Sequence, residues 1–424
     1  MKRLSRIVVV ALVASGAAAF ARAQVSLPGV PLPQLPAVTD PVAGTLRKAT
    51  STFTEARKLR VRQLLRTGRA TIEADPNGQP IVRGEIGALS PTPDALERAR
   101  AAGFTVLRTE ALDALGVSLV VLRAPEGLST RRALKRIREL DPQGEYDFNH
   151  LYVESGEAAA DSSARPGAVP LPPVPPGTRI GLIDSGIDTA HPVLSGATIV
   201  RHGCHGSAFP AAHGTAVASL LVGTGENFES LMAGATLHAS DIFCGHGGGS
   251  LSLLAIALDW MAREKVAVVN ISLVGAKSVL LTGLVRAMTS RGFLLVAAVG
   301  NDGPTAPPLY PAAYPDVIGV TAVDVNRRVL PEACRGEQVD FAAAGAGLRA
   351  AAVDGNYEEI RGTSFATPVV AGLLARSLQA PDAARARAAV DALAATALDI
   401  GNNGNDPSYG KGLVGADFRP GRRE

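Results

Sequence analysis

Cysteine is nearly absent, with three in 424 residues. That excludes a disulfide-dense scaffold, and an odd number cannot all pair within the chain. A dominant charge is missing too. Forty-two Lys and Arg stand against 39 Asp and Glu, a formal net charge of +3, so the overall balance gives no reason to expect nucleic acid as a partner. Charged residues make up only 19% and apolar ones 46%, which excludes wholesale disorder. Glycine (45) and proline (29) are too few and too aperiodic for a collagen-like chain. Beyond the first 23 residues no apolar run approaches the roughly 20 residues that a membrane span needs.

What is present begins with a leader pattern. Lys2, Arg3 and Arg6 precede an uncharged stretch, Ile7 to Phe20, and then Ala21-Arg22-Ala23. This predicts a signal peptide over 1–23 and an exported protein, secreted or periplasmic. Gln24 stands where a lipoprotein would need Cys. Residues 24–80 read as a proline-rich tether (Pro28, Pro31, Pro33, Pro36, Pro41) followed by a basic helix over 45–66. Arg47 to Arg69 holds eight basic residues against one acid, Glu55. We read it as a solvated helix docked on a neighbour rather than as a membrane or acid binder.

Residues 81–153 predict strand Ile81–Leu89, helix Pro93–Ala102, strands Phe104–Glu110 and Val117–Arg123, a helix capped by Ser129, and strand Glu145–Val153. The order βαββαβ is a ferredoxin-like α+β module. Residues 154–177 read as an exposed linker, with Pro166, Pro170, Pro172, Pro173, Pro175 and Pro176. Residues 178–418, before a short tail over 419–424, alternate apolar strands with helices: Arg179–Ile183, Ile199–Arg201, Thr236–Phe243, Val266–Ser272, Leu294–Ala298 and Val317–Val323. Continuous apolar runs suit strands buried on both faces, so the expected class is α/β, a mostly parallel sheet flanked by helices.

Four polar residues fall where such a sheet keeps its ligands, outside strand carboxyl ends and at helix starts. Asp184 follows the first strand, His213-Gly214-Thr215 opens an apolar helix, Asn301 sits in Gly300-Asn301-Asp302-Gly303, and Ser364 lies in Gly362-Thr363-Ser364-Phe365-Ala366-Thr367-Pro368. Singly, each has a plainer role: a cap, a core histidine, a turn. Jointly they are the parts of acyl transfer. A serine needs an imidazole to take its proton. The imidazole needs a carboxylate to fix its tautomer. The oxyanion needs donors, here an Asn amide and the Ser364 N–H at a helix N-terminus.

These stretches resemble the subtilisin-like serine peptidases. The matching segments are IGLIDSGID (180–188), HGTAVASLL (213–221), VVNISLVG ending at Gly275, AAVGNDGP (297–304) and GTSFATPVVAG (362–372). The order Asp, His, Ser is the one that characterises that family. The resemblance implies a subtilisin-like peptidase acting through a Ser acyl-enzyme, with Asp184 the triad acid, His213 the base, Ser364 the nucleophile and Asn301 the oxyanion donor. It implies a substrate cleft edged by Gly247, Gly248 and Gly249 on one side and Ser272, Leu273 and Val274 on the other, with Gly300 near the primary pocket. Ser-Leu-Val-Gly replaces the usual Ser-Leu-Gly-Gly, and we expect Val274, Leu273 and Leu309 to narrow that pocket toward small or medium apolar residues, with Asp302 turned into its own loop. The 81–153 module is expected to act as a propeptide bound in cis, with self-cleavage between about Glu154 and Gly177. Protein or peptide substrates are the expected partners, and the chain is expected to be monomeric.

A Cys204–Cys244 bridge is expected, with Cys334 unpaired; the alternative use is a zinc site from His202, Cys204, His205, Cys244 and His246. No cofactor is assigned. Calcium at Asp399–Asp406 competes with a plain turn. Two other functional classes remain: an esterase-type hydrolase, which would want Gly-x-Ser-x-Gly and the order Ser, Asp, His, and a catalytically silent binding protein, which would have lost a catalytic residue.

Overall fold

A computed structural model describes residues 43–158, 173–415 and 418–419. The leader, the proline-rich stretch 24–41, residues 159–172 of the linker and most of the tail lie outside the described residues.

Helix α1 (Ala43–Thr67) and a short strand β1 (Ile72–Ala74) come first. Then β2 (Pro80–Leu89), α2 (Pro93–Ala101), β3 (Thr105–Leu112), β4 (Val117–Arg123), α3 (Thr130–Leu140) and β5 (Glu145–Glu154) follow in the βαββαβ order. Local chemistry sets the helix starts. The Thr92 and Ser129 side chains accept the N–H groups of Ala95 and Arg132, and Pro93 occupies the first turn of α2. The strands run antiparallel in the order β5-β2-β4-β3. Ile86, Ala99, Phe104, Leu122, Ala133 and Ile137 form the module's own core.

The second part contains β6 (Glu157–Ala158), β7 (Arg179–Asp184), β8 (Thr198–Gly203), α4 (Ala212–Val222), the small hairpin β9 (Thr224–Gly225) and β10 (Phe228–Glu229), β11 (Thr236–Asp241), β12 (Gly249–Ser250), α5 (Leu251–Arg263), β13 (Val268–Ile271), β14 (Leu273–Val274), α6 (Val279–Thr289), β15 (Leu294–Ala298), β16 (Ile318–Val323), β17 (Phe341–Ala344), β18 (Leu348–Ala351), β19 (Tyr357–Arg361), α7 (Thr363–Ser377) and α8 (Ala383–Ala395). Seven strands form one parallel sheet in the order β17-β16-β15-β13-β7-β11-β8. Six of them are the apolar runs read from the sequence. The seventh, Phe-Ala-Ala-Ala in β17, carries no β-branched residue and was invisible to strand propensity. One core packs α4 and α7 against Ile180, Val268, Val296 and Val320. The other packs α5 and α6 against Ile183, Val269 and Leu295.

Strand β5 belongs to both parts. Its first residues pair with β2, as in any ferredoxin-like sheet. Its last four leave the module. Leu151 and Tyr152 pair antiparallel with Ser250 and Gly249 of β12, and Val153 and Glu154 with Val274 and Leu273 of β14. The N-terminal module therefore threads its own final strand between two edges of the larger part.

Candidate active site

Asp184 ends β7 and is fully buried. Its Oδ1 accepts the N–H of Ser185 at 2.7 Å and the hydroxyl of Ser185 at 3.2 Å. Ser185 Oγ in turn accepts the N–H of Gly214. This ties the carboxylate to the start of α4, where His213 lies buried. The close approach needs Gly214: a Cβ there would stand 2.2 Å from the Ser185 carbonyl oxygen. His213 Nδ1 lies 2.8 Å from Asp184 Oδ1. An ionised carboxylate only accepts, so Nδ1 carries a proton, and in the neutral ring Nε2 holds the free lone pair. Nε2 has no hydrogen-bond partner among the described residues. Burial opposes the charged ring, but the charge and hydrogen bond of Asp184, with the charge of Glu154, outweigh it and lift the His213 pKa to about 9.

Ser364 is the second residue of α7 and is fully buried. Its Oγ donates to the Ser272 carbonyl at 3.2 Å, not to His213. Its carbonyl accepts from Ser272 Oγ, which accepts from Asn270 Nδ2. This chain fixes the start of α7 to the end of β13. Asn301 is oriented by the Thr363 N–H, which donates to its Oδ1 at 3.1 Å. That leaves the amide Nδ2 as a donor. Thr363 Oγ1 also accepts the Gly300 N–H, so one threonine, unremarked in the sequence, aligns both loops.

The site is occupied by the chain itself. The Ser364 N–H donates to the carbonyl of Ser155 at 3.1 Å, and Asn301 Nδ2 donates to Ser155 Oγ at 3.2 Å. Glu154, Asp184 and His213 present side-chain atoms within 4.8 Å of one another. Gly156 follows under the nucleophile, where a Cβ would stand 3.2 Å from Ser364 Cβ. The sequence reading placed residues 154–156 in a linker. No local signal distinguishes Glu-Ser-Gly at a strand end from a turn, and only the pairing of β5 reveals its role.

Of the expected cleft residues, Gly249 pairs with Tyr152 while Gly248 flanks it and Gly247 is exposed outside the ladder. Cross-strand partners share a face and alternate residues swap faces. Val274, opposite Val153, therefore lies on the face of Ser155, whereas Leu273, opposite Glu154, lies on the other face with Tyr152. Tyr152 is fully buried and its hydroxyl donates to the Ala276 carbonyl at 3.2 Å. Its ring fills the space of a side chain at Gly275, where a Cβ would meet it at 2.3 Å. Leu309 Cδ1 and Cys334 Sγ stand 2.5 and 3.4 Å from where a Cβ on Gly300 would be. The Asp302 carboxylate differs from expectation. It meets Arg57 Nη1 of α1 at 3.4 Å.

The profile of the subtilase family matches residues 176–412. The chain belongs to the subtilase family. Subtilisin E of Bacillus subtilis is 32% identical over 245 residues, 56% of this chain and 64% of that protein. Subtilisin Savinase of Lederbergia lenta is 32% identical over 247 residues, 57% of this chain and 90% of that protein. This subtilase thus spans less than two thirds of the length of subtilisin E. The crystal structure of fervidolysin from Fervidobacterium pennivorans, a keratinolytic enzyme related to subtilisin, superposes with a TM-score of 0.68 at 20% identity, over 82% of this chain and 62% of that one, and so shares its fold.

Cys204 and Cys244 are disulfide-bonded, with Cα atoms 5.2 Å apart, so neither is a thiolate available to zinc. His202 instead stacks on Trp260. Cys334 is a buried free thiol that burial pushes up to about 12. In the Asp399–Asp406 loop, Asp406 accepts the N–H groups of Asn402, Ser408 and Tyr409, and Asp399 that of Gly404. These carboxylates close a turn with their own backbone.

Proposed function

We propose that this subtilase is an exported serine endopeptidase that cuts its own chain between Ser155 and Gly156. The observation that carries this reading is the Ser155 carbonyl on the Ser364 N–H, with the preceding four residues held as a strand between β12 and β14. Binding by strand addition fixes the backbone without demanding particular side chains.

The chemistry follows from the atoms present. Ser364 Oγ leaves the Ser272 carbonyl, gives its proton to His213 Nε2 and bonds to the Ser155 carbonyl carbon. The Asp184 carboxylate holds Nδ1–H and stabilises the imidazolium. Negative charge gathers on the Ser155 oxygen, already on the Ser364 N–H, and Asn301 Nδ2 moves from Ser155 Oγ to that oxygen. Each such donor is worth roughly 3–4 kcal/mol of barrier in the subtilisins. The C–N bond breaks as His213 protonates the Gly156 nitrogen, and water then releases the acyl group from Ser364 by the same base. The 81–153 module is the propeptide in this reading, and cleaved residues up to Ser155 remain in the cleft as its inhibitor. The complete Asp184–His213–Ser364–Asn301 set disfavours a silent scaffold.

Comparing the full chain with Ser364→Ala tests it. The wild type should yield a product beginning at Gly156, and the mutant should keep the uncut chain. Equal processing in both, or a wild-type product starting elsewhere, defeats the assignment.

A further inference from the structure

Helix α1 lies upstream of the ferredoxin-like module, yet among its described residues Leu64 and Arg57 reach the larger part of the chain. Val61 and Leu64, three residues apart, form its buried face, only 8% and 7% exposed. Leu64 joins the cluster containing Leu151, Tyr152, Ile242 and Phe243, and its Cδ2 lies 3.4 Å from where a Cβ on Gly248 would be. Arg57 Nη1 meets Asp302 Oδ2 at 3.4 Å, with the two side chains only 16% and 10% exposed, while its Nη2 donates to Gln79 Oε1 at 2.9 Å. Arg60, on the same face, is half-buried and feels the charges of Glu154 and Asp302. Burial pushes the Asp302 carboxyl up, and Arg57 and Arg60 oppose that shift.

The spacing is commensurate. Seven helical residues from Arg57 to Leu64 rise about 10 Å. Three extended residues from Tyr152 to Ser155 cover about the same distance. The helix therefore touches Gly248 beside the upstream half of the threaded segment and Asp302 beside the bond at Ser155.

We propose that α1 is a second, ionic closure of the cleft, in which Arg57 and Arg60 dock on Asp302 and hold the cleaved N-terminal part in place. The latency role rests on the self-cleavage reading; the docking itself does not. Glu154 leaves with the N-terminal part, so Asp302 is the anion that stays behind on the mature chain. Cleavage at Ser155 alone does not open the site. The helix must also give up its ion pair with Asp302, and this slows release.

Hydrogen exchange in the full-length Ser364→Ala chain tests the docking without needing catalysis. R57Q together with R60Q, and separately D302N, which leaves α1 itself unaltered, should each speed exchange over residues 55–67 about tenfold, with β2 and β4 unchanged as the fold control. In the active chain, R57Q with R60Q should bring activity about tenfold sooner after refolding. The matured enzyme should keep wild-type kcat/KM, because both substitutions depart with the fragment. Unchanged exchange in both variants overturns the docking. An unchanged lag with accelerated exchange overturns the latency role. A chain with no peptidase activity in any form defeats the proposed function instead, and the exchange result still decides whether α1 is clamped on Asp302.

Discussion

At the scale of single residues, the decisive asymmetry is on His213. Its Nδ1 is committed to Asp184, its Nε2 is unpartnered, and its pKa stands at about 9 while Glu154 is nearby. An imidazolium cannot accept the Ser364 proton, so the closed chain should be slow at neutral pH. Self-cleavage should speed up as pH rises through about 9 and level off above it, because only the neutral ring acts as base. Glu154→Gln removes one charge that favours the imidazolium and should move the midpoint to lower pH. Gel-based rates from roughly pH 6 to 10 measure both effects; a midpoint that ignores Glu154→Gln would show that its charge is not felt at the ring. Asn301→Ala should lower kcat on added peptide by the ~10²–10³-fold familiar for an oxyanion donor in subtilisins, with little change in KM. An equal loss spread into KM would mean that the amide binds ground-state substrate instead. The sequence disclosed these four residues because each sits at a strand end or helix start that local pattern marks. It did not disclose Thr363 as the post that aligns Gly300 and Asn301, because a threonine beside a nucleophile looks like any helix-start residue.

At the scale of elements, β5 is the informative one. Its place as a strand after α3 was legible, and so was the module around it. Its extension into a second sheet was not, since pairing partners about 100 residues away leave no trace in a strand's own sequence. On the self-cleavage reading, the same register sets specificity. Tyr152 needs the space that Gly275 leaves, and Ser155 sits near Val274, with Leu309 and Cys334 crowding Gly300. A peptide copying residues 152–158 should be cut after its Ser. Replacing its Tyr by Ala should cost about ten- to a hundredfold in kcat/KM, an anchor worth roughly 1.4–2.8 kcal/mol. Gly275→Ala should erase that discrimination, since the new methyl takes the ring's place. Retained preference for Tyr in Gly275→Ala would remove Tyr152's pocket from the account.

At the scale of the whole molecule, the two parts share strand β5, the contacts of α1, and an apolar face on which Leu112, Leu115 and Leu119 of the module join Leu254, Leu258, Leu280 and Leu284 of α5 and α6 in one cluster. The Cys204–Cys244 link closes a separation of 40 residues beside the cleft, joining the ends of β8 and β11. Chain-entropy arithmetic gives roughly 4 kcal/mol for a loop of that size before strain. Replacing both cysteines by Ser in the Ser364→Ala chain should lower the unfolding free energy by about 2–4 kcal/mol in urea titration. No change would mean that the link constrains a segment already ordered in the unfolded chain.

The sequence by itself determined the class of sheet, the βαββαβ module, and the candidate site residues with their order along the chain, because these rest on periodicity, caps and short motifs whose physics is local. The tertiary structure alone decided which face Leu273 and Val274 present, that Glu154, Ser155 and Gly156 lie in the site rather than in a tether, and that Asp302 answers Arg57 across the chain. These depend on contacts between residues far apart in sequence. Strand pairing and ion pairing are bought only when two distant surfaces meet, and neither surface carries a record of the other in its own composition.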